Sequence, residues 1–183
     1  DSDNDTLNDS VEMAFGTDPN KADTDDDGGN GVSGRDDYEI SIGRNPLRKD
    51  VMVTFTYVSV VVVDNCEGTG SESGEFYGNL YLTFPGSSQR TNVYSCNNCC
   101  QVNTSGECEK NISRTFLLSE GQTFTASSDR WYEDDGSCGP ACTADDVGDF
   151  SQTFSYPQSA TSGRFELTGG DRCIDIRYSI GVQ

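Results

Sequence analysis

The 183-residue chain carries 31 Asp and Glu against 12 Lys and Arg, a formal net charge of −19, and has no histidine. That balance excludes nucleic acid as a partner, because phosphate binding needs a basic face, and it disfavours an anionic membrane surface. Without imidazole there is no Ser-His-Asp or Cys-His nucleophile system and no His-ligated zinc.

The charge is uneven. Residues 1–50 hold 14 acids and 5 bases; residues 51–183 hold 17 and 7, with all eight cysteines. Two domains are expected, an acidic arm over 1–50 and a cysteine-rich domain over 51–183. An even cysteine count in a Ser-, Thr-, Gly- and Asn-rich chain points to an oxidising, secreted or cell-surface location. No apolar run reaches the 18 or so residues of a membrane helix, so no membrane insertion is expected. With no signal peptide visible, we read the chain as a mature form that has lost its targeting segment.

The arm opens on DSDNDTLNDSVE. Asp1, Asp3, Asp5, Asp9 and Glu12 stand at positions 1, 3, 5, 9 and 12 of a twelve-residue loop, with Leu7 placed to offer its backbone carbonyl. That is the spacing by which an EF-hand-type loop surrounds Ca²⁺ with oxygen. An internal repeat follows: Glu12-Met13-Ala14-Phe15-Gly16-Thr17-Asp18-Pro19 matches Glu39-Ile40-Ser41-Ile42-Gly43-Arg44-Asn45-Pro46. Each copy is a glutamate, a short helical turn, a terminating glycine and then Asp/Asn-Pro. The second loop opens at Asp23, Asp25 and Asp27, with Gly28 in sixth position, but spans 17 residues to Glu39. Five residues are therefore inserted within 29–34, and Asp36 or Asp37 is expected to take the late ligand positions. Fifty residues with few large apolar side chains cannot fold on hydrophobic burial alone, so the metal is expected to supply the folding free energy.

These motifs resemble the thrombospondin type-three repeat family over residues 1–50. The resemblance implies calcium-bound rods with little core, found in secreted and surface proteins. It implies the ligands Asp1, Asp3, Asp5, Asp9 and Glu12 in the first loop and Asp23, Asp25, Asp27 and Glu39 in the second. Thr6, where a glycine belongs, and the five-residue insertion depart from the pattern.

Beyond a hinge at 46–50, Val51–Val63 alternates, with Val51, Val53, Phe55, Tyr57, Val61 and Val63 on one face. Further strands are expected at Gly78–Phe84, Ser113–Leu118, Gln122–Ala126, Arg130–Glu133, Ser151–Tyr156, Arg164–Thr168 and Cys173–Val182. About eight short strands between Gly/Ser/Asn loops predict an antiparallel β-sandwich. The fold class is thus mostly β: a calcium-loop repeat arm with short helical turns, then a disulfide-stapled sandwich. The phrases around Asp64, Asp134, Asp135, Asp145 and Asp146 look like the loops of calcium-dependent C2-type sandwiches, which would make those acids ligands; ordinary acidic turns fit equally.

Cys66, Cys96, Cys99, Cys100, Cys108, Cys138, Cys142 and Cys173 are read as disulfides rather than a zinc site, with the pairing open. Residues 95–108 read as an irregular insertion stapled to the sandwich. Sequons occur at Asn4, Asn8, Asn103 and Asn111, of which Asn103 and Asn111 suit N-glycosylation best; Thr6 and Ser10 sit in short signals for O-glycosylation.

Three functions compete. A carboxylate-pair glycosidase is the enzyme class left open, with Glu133 beside Trp131 and Tyr132 as its candidate acid. A carbohydrate-binding or accessory module would use exposed Trp131, Tyr132, Tyr77, Tyr81 or Tyr156. The favoured reading is a non-enzymatic, calcium-binding structural or adhesive protein, the repeating subunit of a fibre in one version. It would self-associate through edges such as Val51–Val63 or Cys173–Val182, or bind other surface proteins or glycans.

Overall fold

A computed structural model describes residues 1–28, 34–62, 74–102, 106–129, 131–134, 145–156, 159–169 and 174–183; the side chains of 62, 74, 75, 98–102, 132–134, 145, 146 and 169 are outside that description. The chain divides into two compact units, Asp1–Val51 and Met52–Gln183. Two seven-residue helices lie in the first, α1 (Asp9–Phe15) and α2 (Asp36–Ile42).

The strands are β1 (Asp50–Val62), β2 (Gly74–Thr83), β3 (Arg90–Val102), β4 (Gly106–Ser119), β5 (Thr123–Ser128), β6 (Trp131–Asp134), β7 (Asp145–Asp149), β8 (Ser151–Ser155), β9 (Thr161–Glu166), β10 (Thr168–Gly169) and β11 (Ile174–Val182). They form two antiparallel sheets. One has the order β4-β1-β11-β9; the other runs β10-β7-β6-β2-β5-β8, with β3 also on β2. Because β3 pairs along one flank of β2, β5 and β6 share the other, against Leu80–Thr83 and Glu75–Tyr77 respectively. They lie end to end on that flank, β5 ending at Ser128 and β6 beginning at Trp131. Their partners β8 and β7 are likewise separated by Phe150.

Aromatic packing fills the space between the sheets. Phe55 of β1 meets Phe124 of β5 at 5.8 Å and Phe154 of β8 at 6.0 Å. Phe150 stacks on Phe165 of β9 at 4.2 Å, and Phe165 on Tyr178 of β11 at 4.3 Å. Such pairs add about 0.5–1.5 kcal/mol beyond the area they bury. The buried Tyr57 hydroxyl donates to the Tyr81 carbonyl of the opposite sheet at 2.8 Å, which satisfies the one polar atom its ring carries inward.

Alternation along β1 holds only to Tyr57. The register against β11 jumps between Tyr57 and Ser59, so Val58 is an extra residue and every later side chain changes face. Val60, not Val61, is therefore in the core, and Ser59 is buried beneath Glu107, to which its hydroxyl donates. Glu107 in turn pairs with Arg177 at 2.6 Å. On β11, Ile174, Ile176, Tyr178 and Ile180 are buried at alternate positions.

Two expectations are corrected. Val51–Val63 and Cys173–Val182 were candidate free edges, yet β1 and β11 pair with each other and are the inner strands of their sheet. Strands with both flanks hydrogen-bonded have no ladder left to offer a neighbour. Residues 95–108, read as an irregular insertion, instead contribute to β3 and β4. Within Arg90–Asn97, Cys96 is the one buried side chain, so apolar periodicity could not reveal the strand.

Gly78 on β2 lies under the Trp131 indole, so that a Cβ there would overlap the ring. Gly78→Ala is expected to destabilise the sandwich by about 1–3 kcal/mol through overpacking, read as a lowered denaturant midpoint with unchanged slope.

Candidate metal centre

No large apolar side chain is buried among the described residues of Asp1–Val51; the buried polar and charged residues there are Asp5, Glu12, Thr17, Asp36, Glu39 and Asp50. The polar core is assembled by two copies of one local device. Asp1 accepts the Asn4 amide at 2.7 Å, as Asp23 accepts that of Asp26 at 2.8 Å. Asp3 accepts the Asp5 amide at 3.1 Å, as Asp25 accepts that of Asp27, also at 3.1 Å. Such side-chain-to-backbone bonds favour turns over helix. Asn4 and Asp26 both take the left-handed conformation, at φ 65° and 61°. A helix then follows each loop and ends at a left-handed glycine, Gly16 (φ 87°) or Gly43 (φ 77°). Helices this short do not persist alone in water, so α1 and α2 depend on what their buried glutamates face.

The five-residue insertion is accommodated at one point. Gly28 and Gly34 approach so closely that a Cβ on either would overlap the other's backbone. With residues 29–33 set aside, the second loop is again twelve positions long, and Asp36 corresponds to Asp9 as the first residue of its helix. Thr6, in the glycine position of the first loop, sits at φ 79°, a costly conformation for a β-branched residue. Its hydroxyl donates to Asp37 at 2.6 Å.

Four groups of carboxylates have ligand atoms within 4.8 Å of one another: Asp1, Asp3, Asp5; Asp5, Glu12, Asp36; Asp23, Asp25, Asp27; and Asp27, Glu39, Asp50. Sharing Asp5 and Asp27, they merge into two sets of five. The fit to a cation rests on unpartnered oxygens. Glu12 and Glu39 are 0% exposed, and none of their four carboxylate oxygens takes a hydrogen bond. Asp3, Asp5 and Asp25 each bury one more unbonded oxygen. An isolated buried carboxylate costs several kcal/mol, so donors of this kind belong with a positive charge. All-oxygen donors suit a hard divalent ion and not a soft one.

The position-nine acids behave differently from the loop expectation. Asp9 joins neither set and accepts the Ser2 amide and hydroxyl at 3.0 and 2.9 Å. Asp36, expected in the second set, joins the first. As the opening residue of α2 it turns away from its own loop, accepting the Thr24 amide (2.8 Å) and hydroxyl (2.6 Å) while facing Asp5 and Glu12. Asp37 joins no set; Thr6 and Arg35 (3.3 Å) hold it. The half-buried Leu7 donates its amide to Asp5 at 2.8 Å.

Asp50 was missed. Its amide donates to Asp27 at 2.8 Å, its carboxylate completes the second set, and Arg44 pairs with it at 3.1 Å. The signal was available: Asp50 follows Asp23 by 27 residues, the interval between Glu12 and Glu39.

Other candidate residues divide as follows. Asp64 and Asp135 lie outside the described residues. Asp134 ends β6 and Asp145 and Asp146 begin β7, with side chains outside the description. Cys96 and Cys108 are disulfide-bonded; Cys66, Cys138, Cys142, Cys173 and the side chains of Cys99 and Cys100 lie outside the description. Asn103 also lies outside it, whereas Asn111 is exposed on β4 at φ 51°. Thr6 and Ser10 are exposed and bonded to Asp37 and Asn8. Trp131, a candidate glycan platform, is instead fully buried in the core.

No protein-family model and no curated relative matches the chain. Among solved structures it is similar to human GIVD cytosolic phospholipase A2 in complex with methyl gamma-linolenyl fluorophosphonate inhibitor and terbium chloride, at 10% identity and TM-score 0.43, covering 74% of this chain and 17% of that one. It is also similar to a C2 domain of plant extended synaptotagmin 1 (12% identity, TM-score 0.38, covering 73% and 94%) and to Drosophila C2-DSL-EGF1 (12%, 0.35, 72% and 67%). The chain spans about a sixth of the length of the first of these.

Burial, then repulsion from Asp27 and Asp25, pushes the Glu39 carboxyl up to about 8. Burial and Asp27 push Asp25 to about 7; burial, opposed by Arg44, leaves Asp50 at about 6. Burial likewise raises Asp5 and Glu12. A raised folded-state value means the folded unit holds protons that the unfolded chain releases near pH 4. The penalty is absent below that pH and complete above about 8. In chelator, hydrogen-exchange protection of the Gly16 and Arg44 amides, corrected for intrinsic rate, is therefore expected to fall between pH 5 and 9. Protection that rises or stays flat over that window contradicts this electrostatic account.

Proposed function

We propose that this chain is an extracellular calcium-binding structural or adhesive protein whose first unit is kept in shape by two ions. The observation that carries this reading is the pair of fully buried glutamates, Glu12 and Glu39, with four unbonded oxygens turned toward other carboxylates. Asp1, Asp3, Asp5, Glu12 and Asp36 would hold one ion, and Asp23, Asp25, Asp27, Glu39 and Asp50 the other. Calcium accepts six to eight oxygens in flexible geometry, whereas magnesium demands an octahedron and retains water; sets of five carboxylates favour calcium. The ion supplies the positive charge that the set lacks. The resemblance of residues 1–50 to thrombospondin type-three repeats supports the same assignment. Extracellular modules of this type bind at roughly 10⁻⁴–10⁻³ M, which suits a structural ion.

The structural role is supported by what surrounds these sets. The sandwich has a packed aromatic core, and we read its cysteines as staples that hold it outside the cell. No catalytic activity is proposed. No described helix is long and apolar enough to cross a membrane. The exposed large apolar residues among those described, Met13, Phe15, Tyr38, Ile42 and Leu47, all belong to the first unit, which favours association through it, with a second copy or with other surface proteins or glycans. A head-to-tail contact of that kind leaves an open end and builds fibres.

A second reading, a non-catalytic carbohydrate-binding or accessory module, draws on one cluster. Arg90 lies 4.2 Å over the Tyr81 ring and pairs with Asp129 at 2.7 Å, with Asn79 and Asn92 alongside. Glycan binding lost in Tyr81→Ala would favour it.

In millimolar calcium, the first unit is expected to resist limited proteolysis, and in excess EGTA to be cleaved within residues 1–50 while the sandwich survives. Equal cleavage in both conditions would sink the structural-ion reading. Negative-stain microscopy under the same two conditions tests the fibre version, which monodisperse particles in calcium would exclude.

A further inference from the structure

Helix α2 belongs to both carboxylate sets. Asp36 closes the first, with Asp5 and Glu12, and Glu39 closes the second, with Asp27 and Asp50. They are three residues apart on one helical face, about 4.5 Å along its axis, and both are fully buried. Neither set rests on clustered acids alone, since Glu12 and Glu39 each aim two buried, unbonded oxygens into their own set. The two halves are also latched. Thr24 holds Asp36 by amide and hydroxyl, the Thr6 hydroxyl reaches Asp37, and Arg35 donates to the Asn4 carbonyl at 3.0 Å.

We infer that the two ions bind as a positively coupled pair, with α2 as the element through which each assists the other. This rests on the calcium reading above. An ion in the second set must draw Glu39 into place, which forms α2 and delivers Asp36 to the first set. An ion in the first set draws in Asp36 and thereby starts the helix that carries Glu39. Whichever ion binds first orders the shared turn, so the second binds to a turn already made. Repulsion between the ions acts in the opposite sense. It is softened by ten carboxylates that outnumber the four positive charges. Ordering, by contrast, involves the whole seven-residue helix, which has no apolar core to form around. Ordering wins, and the coupling is positive.

Calcium titration of the full chain by ¹⁵N NMR tests this, with the Leu7 amide reporting the first set and the Gly28 amide the second; both donate to carboxylates of their own set. In the unaltered protein the two resonances are expected to respond with one shared midpoint. In Glu39→Gln, which leaves the first set chemically intact, the Leu7 midpoint should rise at least about fivefold, the low end of ordinary coupling. Asp3→Asn, altering only the first set, should in turn raise the Gly28 midpoint, because coupling is reciprocal. A variant that merely fails to fold would show no calcium response at the reporting amide, whereas a coupled one reaches the same end point at a higher calcium concentration. Asp26→Asn, which removes a charge held by Lys21 at 2.8 Å and belonging to neither set, should change either midpoint less than twofold. A Leu7 midpoint unmoved by Glu39→Gln, together with a Gly28 midpoint unmoved by Asp3→Asn, overturns the coupling and leaves the calcium reading standing. Absence of any calcium response at either amide overturns both.

Discussion

Carboxylates that cannot reach water, and have no donor to bond, set the terms for the first fifty residues of this protein. Two unit charges 4 Å apart cost only about 1 kcal/mol in bulk water, but several times that near a protein surface. The two sets bring five carboxylates each into that range and bury Asp5, Glu12, Asp36, Glu39 and Asp50. The local turns position the acids without relieving their repulsion, since the amides they use leave one oxygen each of Asp3, Asp5 and Asp25 unbonded. On the reading proposed above, a bound cation compensates the charge that these turns and helices gather.

The second unit solves the opposite problem. Its sheets close over Phe55, Phe124, Phe154, Phe165 and Tyr178, whose burial and ring packing are favourable under any ionic condition. One chain thus carries an ionic core and an aromatic core. Their sensitivities are expected to differ accordingly: pH and, on the proposed reading, divalent ions act on the first, volume changes and denaturant on the second.

What the sequence revealed follows the same division. Acids at alternate positions and the Glu-turn-Gly-Asn/Asp-Pro repeat identify Asp1, Asp3, Asp5, Glu12, Asp23, Asp25, Asp27 and Glu39, because loop chemistry is local, but not Asp50. They do not show which set each acid joins, because Asp36 crosses to the other loop and Asp50 lies beyond the repeat. Alternation located β1, β2, β5 and β11, whose inward residues are large and apolar. It failed where a strand buries almost nothing, as over Arg90–Asn97 of β3, and where one bulged residue, Val58, reverses the faces. The central place of β1 and β11 in their sheet is a matter of long-range pairing that no local pattern encodes.

The contact between Gly28 and Gly34 has a consequence for how this arm can vary. Because the chain leaves and returns at a single point, the length of the segment between those glycines is uncoupled from the spacing of Asp23, Asp25, Asp27 and Glu39. Lengthening a loop anchored at a closed neck costs only about 0.6 kcal/mol per doubling. The ligand frame of the second loop therefore constrains where the chain must pinch, and not how much chain lies beyond the pinch.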